Sequence, residues 1–230
     1  MARRPIAVVT GASRGIGRAI AMRLAGAYDI VAVARSESDL ARLASEIEAH
    51  GGSCRALPLD ITEPDVVARA LADIDADVLV NNAGVAAMRP MTELTVDEWR
   101  WMMDVNVNAL FYVTRALLPG MLARGSGFIV NIGSLAGRSS FVGGTAYSAT
   151  KHAVIGFTES LMLEVRDAGV RVAVVMPGSV ATGFSGRTGD ESWMLTPEEI
   201  ADAVAQVIDT PKNMLISRLE IRPAIAARKK

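Results

Sequence analysis

Short runs of apolar, largely β-branched residues alternate along the chain with longer segments in which apolar residues recur at helical spacing. Apolar runs without polar alternation are typical of parallel strands that are covered on both faces. The pattern predicts strands at Ile6–Thr10, Ile30–Ala34, Ser53–Leu59, Val78–Asn81, Phe128–Ile132, Val170–Met176 and Met214–Ile221. It predicts helices near Gly15–Ala25, Glu37–Ala49, Glu63–Ile74, Val96–Ala123, Tyr147–Asp167 and Pro197–Ile208.

This alternation predicts an α/β fold, a Rossmann-type doubly wound parallel sheet of about seven strands flanked by helices. No linker rich in proline, glycine or serine and no internal repeat interrupts the series. We therefore expect residues 1–230 to form a single domain. The one long irregular connection is the stretch Ser179–Ser192, and such a segment inside a compact domain is more often a functional loop than a boundary. We expect a short substrate loop near residues 179–195.

The composition is that of a globular protein, since half of the residues are hydrophobic and 21% are charged. The formal net charge of −1 gives no electrostatic reason to expect nucleic acid or a membrane surface as the partner. A solvated terminus explains the short basic end Arg228–Lys230. No stretch offers the roughly 20 apolar residues of a membrane span, and the apolar run Pro5–Val9 is too short for a secretory signal. We therefore expect a cytoplasmic protein.

Cysteine and histidine are scarce in this chain. The single cysteine, Cys54, excludes an internal disulfide framework and a thiolate metal cluster. The only histidines are His50 and His152, which argues against a histidine-rich metal site. We predict that the protein holds no metal.

Three glycines follow the first predicted strand and lead directly into a helix. Gly11 permits a tight turn, and Gly15 and Gly17 let the backbone approach a pyrophosphate without an intervening Cβ atom. Amide groups at the start of the helix then point at the anion. The spacing Gly-x3-Gly-x-Gly differs from the commoner Gly-x-Gly-x-x-Gly fingerprint, but its place directly after strand one favours dinucleotide binding. The candidate residues of this loop are Gly11, Ser13, Arg14, Gly15, Ile16 and Gly17.

The residues after the second strand bear on the choice between NAD and NADP. An NAD site usually places an acid there to accept a hydrogen bond from the ribose 2′-hydroxyl, but this strand ends in Ala34-Arg35-Ser36. Arg35 and Arg14 are both candidates for a 2′-phosphate, whose geometry a guanidinium matches. We therefore expect NADP(H) to be preferred over NAD(H). Asp60, followed by Ile61 after the third strand, is a candidate acceptor for the adenine amino group, although an acidic loop start is equally ordinary.

Further polar signals follow in chain order. Tyr147 and Lys151 are four residues apart at the start of a helix and share one of its faces. Ser134 follows the fifth strand, and doubly wound folds bind ligands at such carboxyl ends. With these residues the sequence resembles the classical short-chain dehydrogenase/reductase family. The matches are Thr10–Gly17, Asp60, Asn81–Gly84, Asn106, Ser134, Tyr147, Lys151 and Pro177-Gly178.

The resemblance implies a role for each of these residues. Tyr147 is the acid in carbonyl reduction and the base in alcohol oxidation, and Lys151 lowers its pKa and holds the nicotinamide ribose. Ser134 hydrogen-bonds the substrate oxygen, and Asn106 positions a water that relays protons toward Lys151. The resemblance also implies cofactor contacts from Asn82, Ala83, Gly84, Pro177, Gly178, Val180 and Thr182, the last two near the nicotinamide carboxamide.

The predicted function is NADP(H)-dependent interconversion of a small ketone or aldehyde and its alcohol. A 3-oxoacyl-thioester reductase is an alternative, weakened by Phe128, where members acting on acyl-carrier protein often have arginine. A noncatalytic NADP-binding regulator is an alternative of another class. The ending Leu219–Pro223 is similar to that of relatives that oxidise small 3-hydroxy acids. The resemblance also implies a homotetramer or homodimer built from the helices Val96–Ala123 and Tyr147–Asp167.

Overall fold

The computed structural model describes residues 3–184 and 190–225. Within them, seven strands pair in parallel to form one sheet of order β3-β2-β1-β4-β5-β6-β7, which confirms the predicted fold class. The strands are β1 Ile6–Thr10, β2 Asp29–Ala34, β3 Ser53–Pro58, β4 Val78–Asn81, β5 Gly127–Ile132, β6 Val170–Pro177 and β7 Arg218–Ile221.

Helices cover both faces of this sheet and connect its strands. They are α1 Gly15–Leu24, α2 Glu37–Ala49, α3 Pro64–Leu71, α4 Val96–Met103, α5 Ala109–Arg124, α6 Thr145–Val165 and α7 Pro197–Ile208. Helices α1, α2 and α7 pack on one face, where Ile20, Leu40 and Val204 meet Val9 of the sheet. Helices α3, α5 and α6 pack on the other face, where Leu71, Leu117 and Leu161 meet Val8. Adjacent residues of β1 thus enter opposite core layers, as the alternation of side chains along a strand requires.

Two predicted elements differ from the structure by more than a shift of one to three residues at their ends. The predicted helix Val96–Ala123 is interrupted by a π-helical segment, Asp104–Asn108, in which the Ala109 amide bonds to the Asp104 carbonyl. The predicted strand Met214–Ile221 is extended only from Arg218, because Met214 first closes a turn by donating its amide to the Pro211 carbonyl. The first difference places Asn106 near the carboxyl edge of the sheet, because its side chain bonds to Val85, which follows β4.

Three sequence predictions reach residues outside the described ranges. They concern the basic end Arg228–Lys230, both ends of the predicted domain 1–230, and residues 185–189 of the predicted substrate loop. Across residues 3–184 and 190–225, none of the helices combines the length and apolar character needed to span a bilayer.

Candidate active site

A cleft of about 980 Å³ runs along the carboxyl edge of the sheet, at the upper end of the volumes usual for ligand sites. The segments after all seven strands contribute to its wall. Of the predicted site residues, only Gly17 and Asn106 do not line it. Those that do are Gly11, Ser13, Arg14, Gly15, Ile16, Arg35, Asp60, Ile61, Asn82, Ala83, Gly84, Ser134, Tyr147, Lys151, Pro177, Gly178, Val180 and Thr182.

The glycine loop turns from β1 into α1 at the middle of the cleft. Gly11 and Gly15 have φ of 65° and 55°, a region that L side chains rarely adopt. Gly17 is buried behind the loop, where a Cβ would lie 2.3 Å from the Gly11 carbonyl oxygen and 2.3 Å from Asn82 Nδ2. The sequence suggested that Gly17 lets the backbone approach a pyrophosphate. The structure instead shows that Gly17 lets helix α1 approach the turn.

Hydrogen bonds join the ends of β1 and β4 beside this loop. The Thr10 hydroxyl accepts from the amides of Asn82 at 3.0 Å and Ala83 at 3.1 Å. The Asn82 side chain donates back to the Thr10 carbonyl at 3.0 Å. Strand β1 lies between β2 and β4. The chain therefore continues from β1 to one side of the sheet, through β2 and β3, and then returns to the other side at β4. Open parallel sheets bind ligands at such switch points, and these bonds fix its geometry.

Charged residues gather at the end of the cleft formed by β2 and β3. Arg14 and Arg35 are exposed and line it together with Asp39 and Asp60. Asp60 Oδ1 accepts from the Thr62 amide at 3.0 Å and from the Thr62 hydroxyl at 2.7 Å. These bonds, with a smaller contribution from Arg35, hold the pKa of Asp60 below its usual value. Asp60 is therefore ionised at neutral pH. Its carboxylate stabilises its own loop through Thr62 and also faces the cleft.

Tyr147 and Lys151 lie at the other end, on the first turns of α6. Lys151 is 5% exposed, and its ammonium donates to the Ile132 carbonyl at 2.9 Å and lies 5.8 Å from the centroid of the Tyr147 ring. Burial lowers the pKa of Lys151 to about 8. Burial also raises the pKa of Tyr147, which a hydrogen bond with the Ser134 hydroxyl partly offsets. In the protein alone, desolvation therefore outweighs the lowering of the Tyr147 pKa expected from Lys151.

Ser134 and Phe184 approach Tyr147 from two different loops. Ser134 follows β5, and its hydroxyl accepts from the Ala136 amide at 3.1 Å, which fixes the side chain at the start of a short 3₁₀ turn. The ring of Phe184, after β6, lies 6.0 Å from the Tyr147 ring, centroid to centroid, at a tilt of 55°. The Tyr147 and Ser134 hydroxyls thus face the same apolar end of the cleft.

Asn106 stands in the π-helical segment behind this centre. Its Oδ1 accepts from the Val85 amide at 2.7 Å, and its Nδ2 donates to the Val85 carbonyl at 2.9 Å and to the Thr150 hydroxyl at 3.0 Å. The resemblance assigned Asn106 a water in a proton relay. In the structure its amide ties the loop after β4 to helix α6, and the proton relay stays a prediction. A Cβ on Gly84 would lie 3.4 Å from Asn106 Oδ1 and 3.7 Å from Lys151 Nζ, so the three residues are close neighbours.

Several residues that line the cleft were not assigned a role in the sequence analysis. The segment after β7 is one source, since the Gly178 amide donates to the Ile221 carbonyl at 2.8 Å and brings Arg222 and Pro223 to the wall. The first turn of α2 is another. In the sequence, only their position after a predicted strand could have identified these residues, because residues that follow parallel strands meet at the same edge of a sheet. The cleft residues without a predicted role include Ser36, Asp39, Met88, Arg222, Pro223 and Ile225.

A family model described as short chain dehydrogenase matches residues 5–193, which include the glycine loop and all four predicted catalytic residues. The chain belongs to the short-chain dehydrogenase family. It is therefore an oxidoreductase that interconverts hydroxyl and carbonyl groups, as the sequence predicted.

Relatives within this family differ in substrate and coenzyme. The chain is 36% identical to an NADP-dependent 3-hydroxy acid dehydrogenase of Salmonella typhi, over 95% of this chain and 94% of that protein. A serine dehydrogenase solved with NADP+ is 33% identical, with a TM-score of 0.87 over 98% of this chain and 100% of that one. A 3-oxoacyl-[acyl-carrier protein] reductase of Brucella melitensis solved with NAD is 30% identical, with a TM-score of 0.87 over 97% and 91% of the two chains.

Proposed function

We propose that this protein uses NADP(H) to interconvert a small carbonyl compound and its alcohol, with Tyr147 as the general acid and base. One observation carries the proposal. A single cleft has Tyr147, Ser134 and Lys151 at one end and the glycine loop in its middle. Arg35 and the side chain of Arg14, which extends from that loop toward Asp39, lie at the other end. This order matches a dinucleotide laid along the sheet edge, with its nicotinamide beside Tyr147 and its adenosine beside the arginines.

The residues present fit this cofactor. A Cβ on Gly15 would lie 3.3 Å from Thr182 Cγ2, so only glycine leaves the full width between the loop and the segment after β6. The start of α1 presents amide groups to the pyrophosphate. Arg14 and Arg35 supply guanidinium groups suited to the 2′-phosphate, and Lys151 holds an ammonium that can donate to the nicotinamide ribose.

The mechanism follows from the placement of three side chains. Bound NADP(H) supplies or accepts the hydride. Ser134 donates a hydrogen bond to the substrate oxygen, and Tyr147 delivers its proton to that oxygen as negative charge develops there. In the oxidative direction Tyr147 removes the same proton. Lys151, with its pKa of about 8, is mostly protonated at neutral pH and stabilises the phenolate that Tyr147 leaves behind.

Charge at the substrate end of the cleft supports a 3-hydroxy acid or 3-oxo acid as the substrate. Arg138 and Arg222 both donate to the Glu220 carboxylate, at 2.9 Å and 3.0 Å, so two cations share one anion. Arg222 also lines the cleft and keeps further N–H donors for a substrate carboxylate. The named activity of the Salmonella relative agrees with this substrate class.

A 3-oxoacyl thioester is the second candidate substrate. Four large apolar side chains at the mouth of the cleft are each at least 40% exposed, and exposed apolar patches mark ligand or partner sites. An acyl chain would cover them. They are Met88, Phe141, Phe184 and Ile225.

The test is a comparison of wild type with Tyr147→Phe, assayed by NADPH absorbance on neutral ketones, 3-oxo acids and 3-oxoacyl thioesters. We expect turnover to fall about a hundredfold or more, because the variant has lost its general acid, while the Kd for NADPH changes little. Tyr112→Phe is the matched control, since Tyr112 is a half-buried tyrosine of α5 that does not line the cleft. Full turnover in Tyr147→Phe rejects the assignment, and cofactor binding without turnover in wild type favours a regulator.

Three further predictions stay with this proposal. Residues 1–230 act as one dinucleotide-binding domain, the protein is cytoplasmic, and it assembles as a homodimer or homotetramer. The first rests on the unbroken series of strands and helices within the described residues. The last rests on apolar side chains exposed along α4 and α5.

A further inference from the structure

Asp39 occupies an unexpected place for an acidic residue in a site that takes a phosphorylated coenzyme. It lies in the first turn of α2 and lines the adenosine end of the cleft together with Arg14, Arg35 and Ser36. Its side chain is 38% exposed, so a bound nucleotide can reach it. The carboxylate thus stands among the groups that would meet the ribose 2′ position.

The contacts of Asp39 keep it charged and also engage Ser36. The Ser36 hydroxyl donates to Asp39 Oδ2 at 2.7 Å, while the Asp39 amide donates to the Ser36 oxygen at 3.4 Å. Arg42 pairs with Asp39 Oδ1. The Ser36 hydrogen bond, and then Arg42 and Arg14, lower the pKa of Asp39. A hydroxyl can donate only one hydrogen bond. Ser36 donates its own to Asp39, so it has none to donate to a phosphate.

The two coenzymes differ here by one group. NADP(H) carries a 2′-phosphate with a charge approaching −2 at neutral pH, by analogy with other phosphomonoesters. Arg14 and Arg35 attract this group, and the Asp39 carboxylate repels it. NAD(H) carries a 2′-hydroxyl, which can donate a hydrogen bond to a carboxylate. The Asp39 carboxylate therefore weakens the binding of NADP(H), which the two arginines strengthen, and it favours the binding of NAD(H).

We propose that Asp39 is a specificity-determining residue that limits the preference for NADP(H) and preserves binding of NAD(H). The proposal rests on the cofactor site of the proposed function. It adds that the site is balanced between two coenzymes, because the acid absent from the end of β2 is supplied from the first turn of α2.

The experiment measures the Kd of NADPH and of NADH by fluorescence titration of wild type and Asp39→Asn. Asparagine keeps the size of the side chain and an oxygen that can accept from Ser36, but it removes the charge. We expect the Kd for NADPH to fall about fivefold at low salt, the order expected for one charge contact near a solvated surface, while the Kd for NADH rises or stays unchanged. The gain for NADPH should shrink as ionic strength rises, because salt screens exposed charges.

Glu37→Gln is the matched control. Glu37 lies in the same helical turn and loses the same charge, but it does not line the cleft. We expect it to leave the ratio of the two Kd values nearly unchanged. Asp39→Ser is a second variant, and thermal unfolding by circular dichroism verifies that each variant is folded.

The outcomes separate this inference from the proposed function. A ratio of Kd values that Asp39→Asn and Asp39→Ser leave unchanged overturns the role of Asp39 alone. So does an equal shift in Glu37→Gln, which would show a general effect of charge. Failure of the wild-type protein to bind either coenzyme overturns the proposed function itself, and the inference with it.

Discussion

Lys151 exchanges the hydration of its ammonium for a hydrogen bond to a main-chain carbonyl, and this exchange determines when it is charged. Its pKa is about 8, against 10.5 for an ordinary lysine. Between these values the unfolded chain binds more protons than the folded one, so the free energy of unfolding rises with pH across this window. Well below pH 8 both states hold Lys151 protonated, so its contribution is constant there.

We expect Lys151→Met to remove this contribution. From pH 8 to 9 the free energy of unfolding of wild type should rise relative to the variant by about 1 kcal/mol, since one pH unit in this window corresponds to about 1.4 kcal/mol at most. Urea unfolding at pH 7, 8 and 9 measures the difference. Lys212→Met, at an exposed position, is the control and should follow wild type. A constant difference between wild type and Lys151→Met over this range would show that the lysine titrates elsewhere.

Gly17 shows what a single sequence can and cannot specify at this scale. The pattern of glycines correctly indicated that the backbone comes close to something at this position. It did not indicate which group the backbone approaches. A Cβ at Gly17 would meet the Gly11 carbonyl and the side chain of Asn82, and Asn82 follows a strand that is distant in the sequence. Spacing along the chain predicts a close approach, and only the tertiary fold identifies the partner.

At the scale of elements, the helix across residues 96–124 has a π-helical insertion that the sequence pattern did not indicate. An insertion of one residue in a helical turn hardly disturbs the apolar repeat over so long a segment, so the segment reads as one helix. The insertion carries Asn106, whose amide reaches both polar groups of Val85 and the Thr150 hydroxyl. The π-helix therefore joins α4, α6 and the loop after β4.

We expect Asn106→Ala to lower the free energy of unfolding by about 2–3 kcal/mol, because it leaves partly buried backbone groups of Val85 without partners. It should also lower kcat, since the loop after β4 borders the cleft. Asn108→Ala is the control, because Asn108 lies in the same π-helical segment but its side chain donates to the exposed Asp104 carboxylate. Urea unfolding and initial rates measure both effects. Equal losses in the two variants would mean that any change to the π-helix is costly and that the Asn106 amide has no special role.

At the scale of the whole molecule, the sheet order brings the ends of β1, β4, β5, β6 and β7 to one edge. The sequence predicted the class of fold because strand and helix periodicities are local, and it predicted most of the cleft because ligands gather where parallel strands end. It did not give a role to Arg222. That residue reaches the wall only because Gly178 bonds Ile221 across the pairing of β6 with β7, a contact between distant parts of the chain.

The outer surface of α4 and α5 leads to a prediction about assembly. Among the described residues of these helices, the exposed fractions are 63% for Val96, 37% for Trp99, 41% for Trp101, 44% for Phe111 and 38% for Leu122. Apolar side chains concentrated on two consecutive helices are a surface that a second copy of the chain would cover, and homo-oligomers with a self-complementary interface are common.

We expect wild type to sediment as a dimer or tetramer and Phe111→Glu to sediment as a smaller species, because a carboxylate at a covered apolar position loses its hydration. Met214→Glu is the control, since Met214 is 49% exposed but lies before β7, away from α4 and α5. Sedimentation velocity at several concentrations separates the outcomes. A wild-type monomer at all concentrations would contradict the assembly, and dissociation by Met214→Glu alone would place the interface near the start of β7.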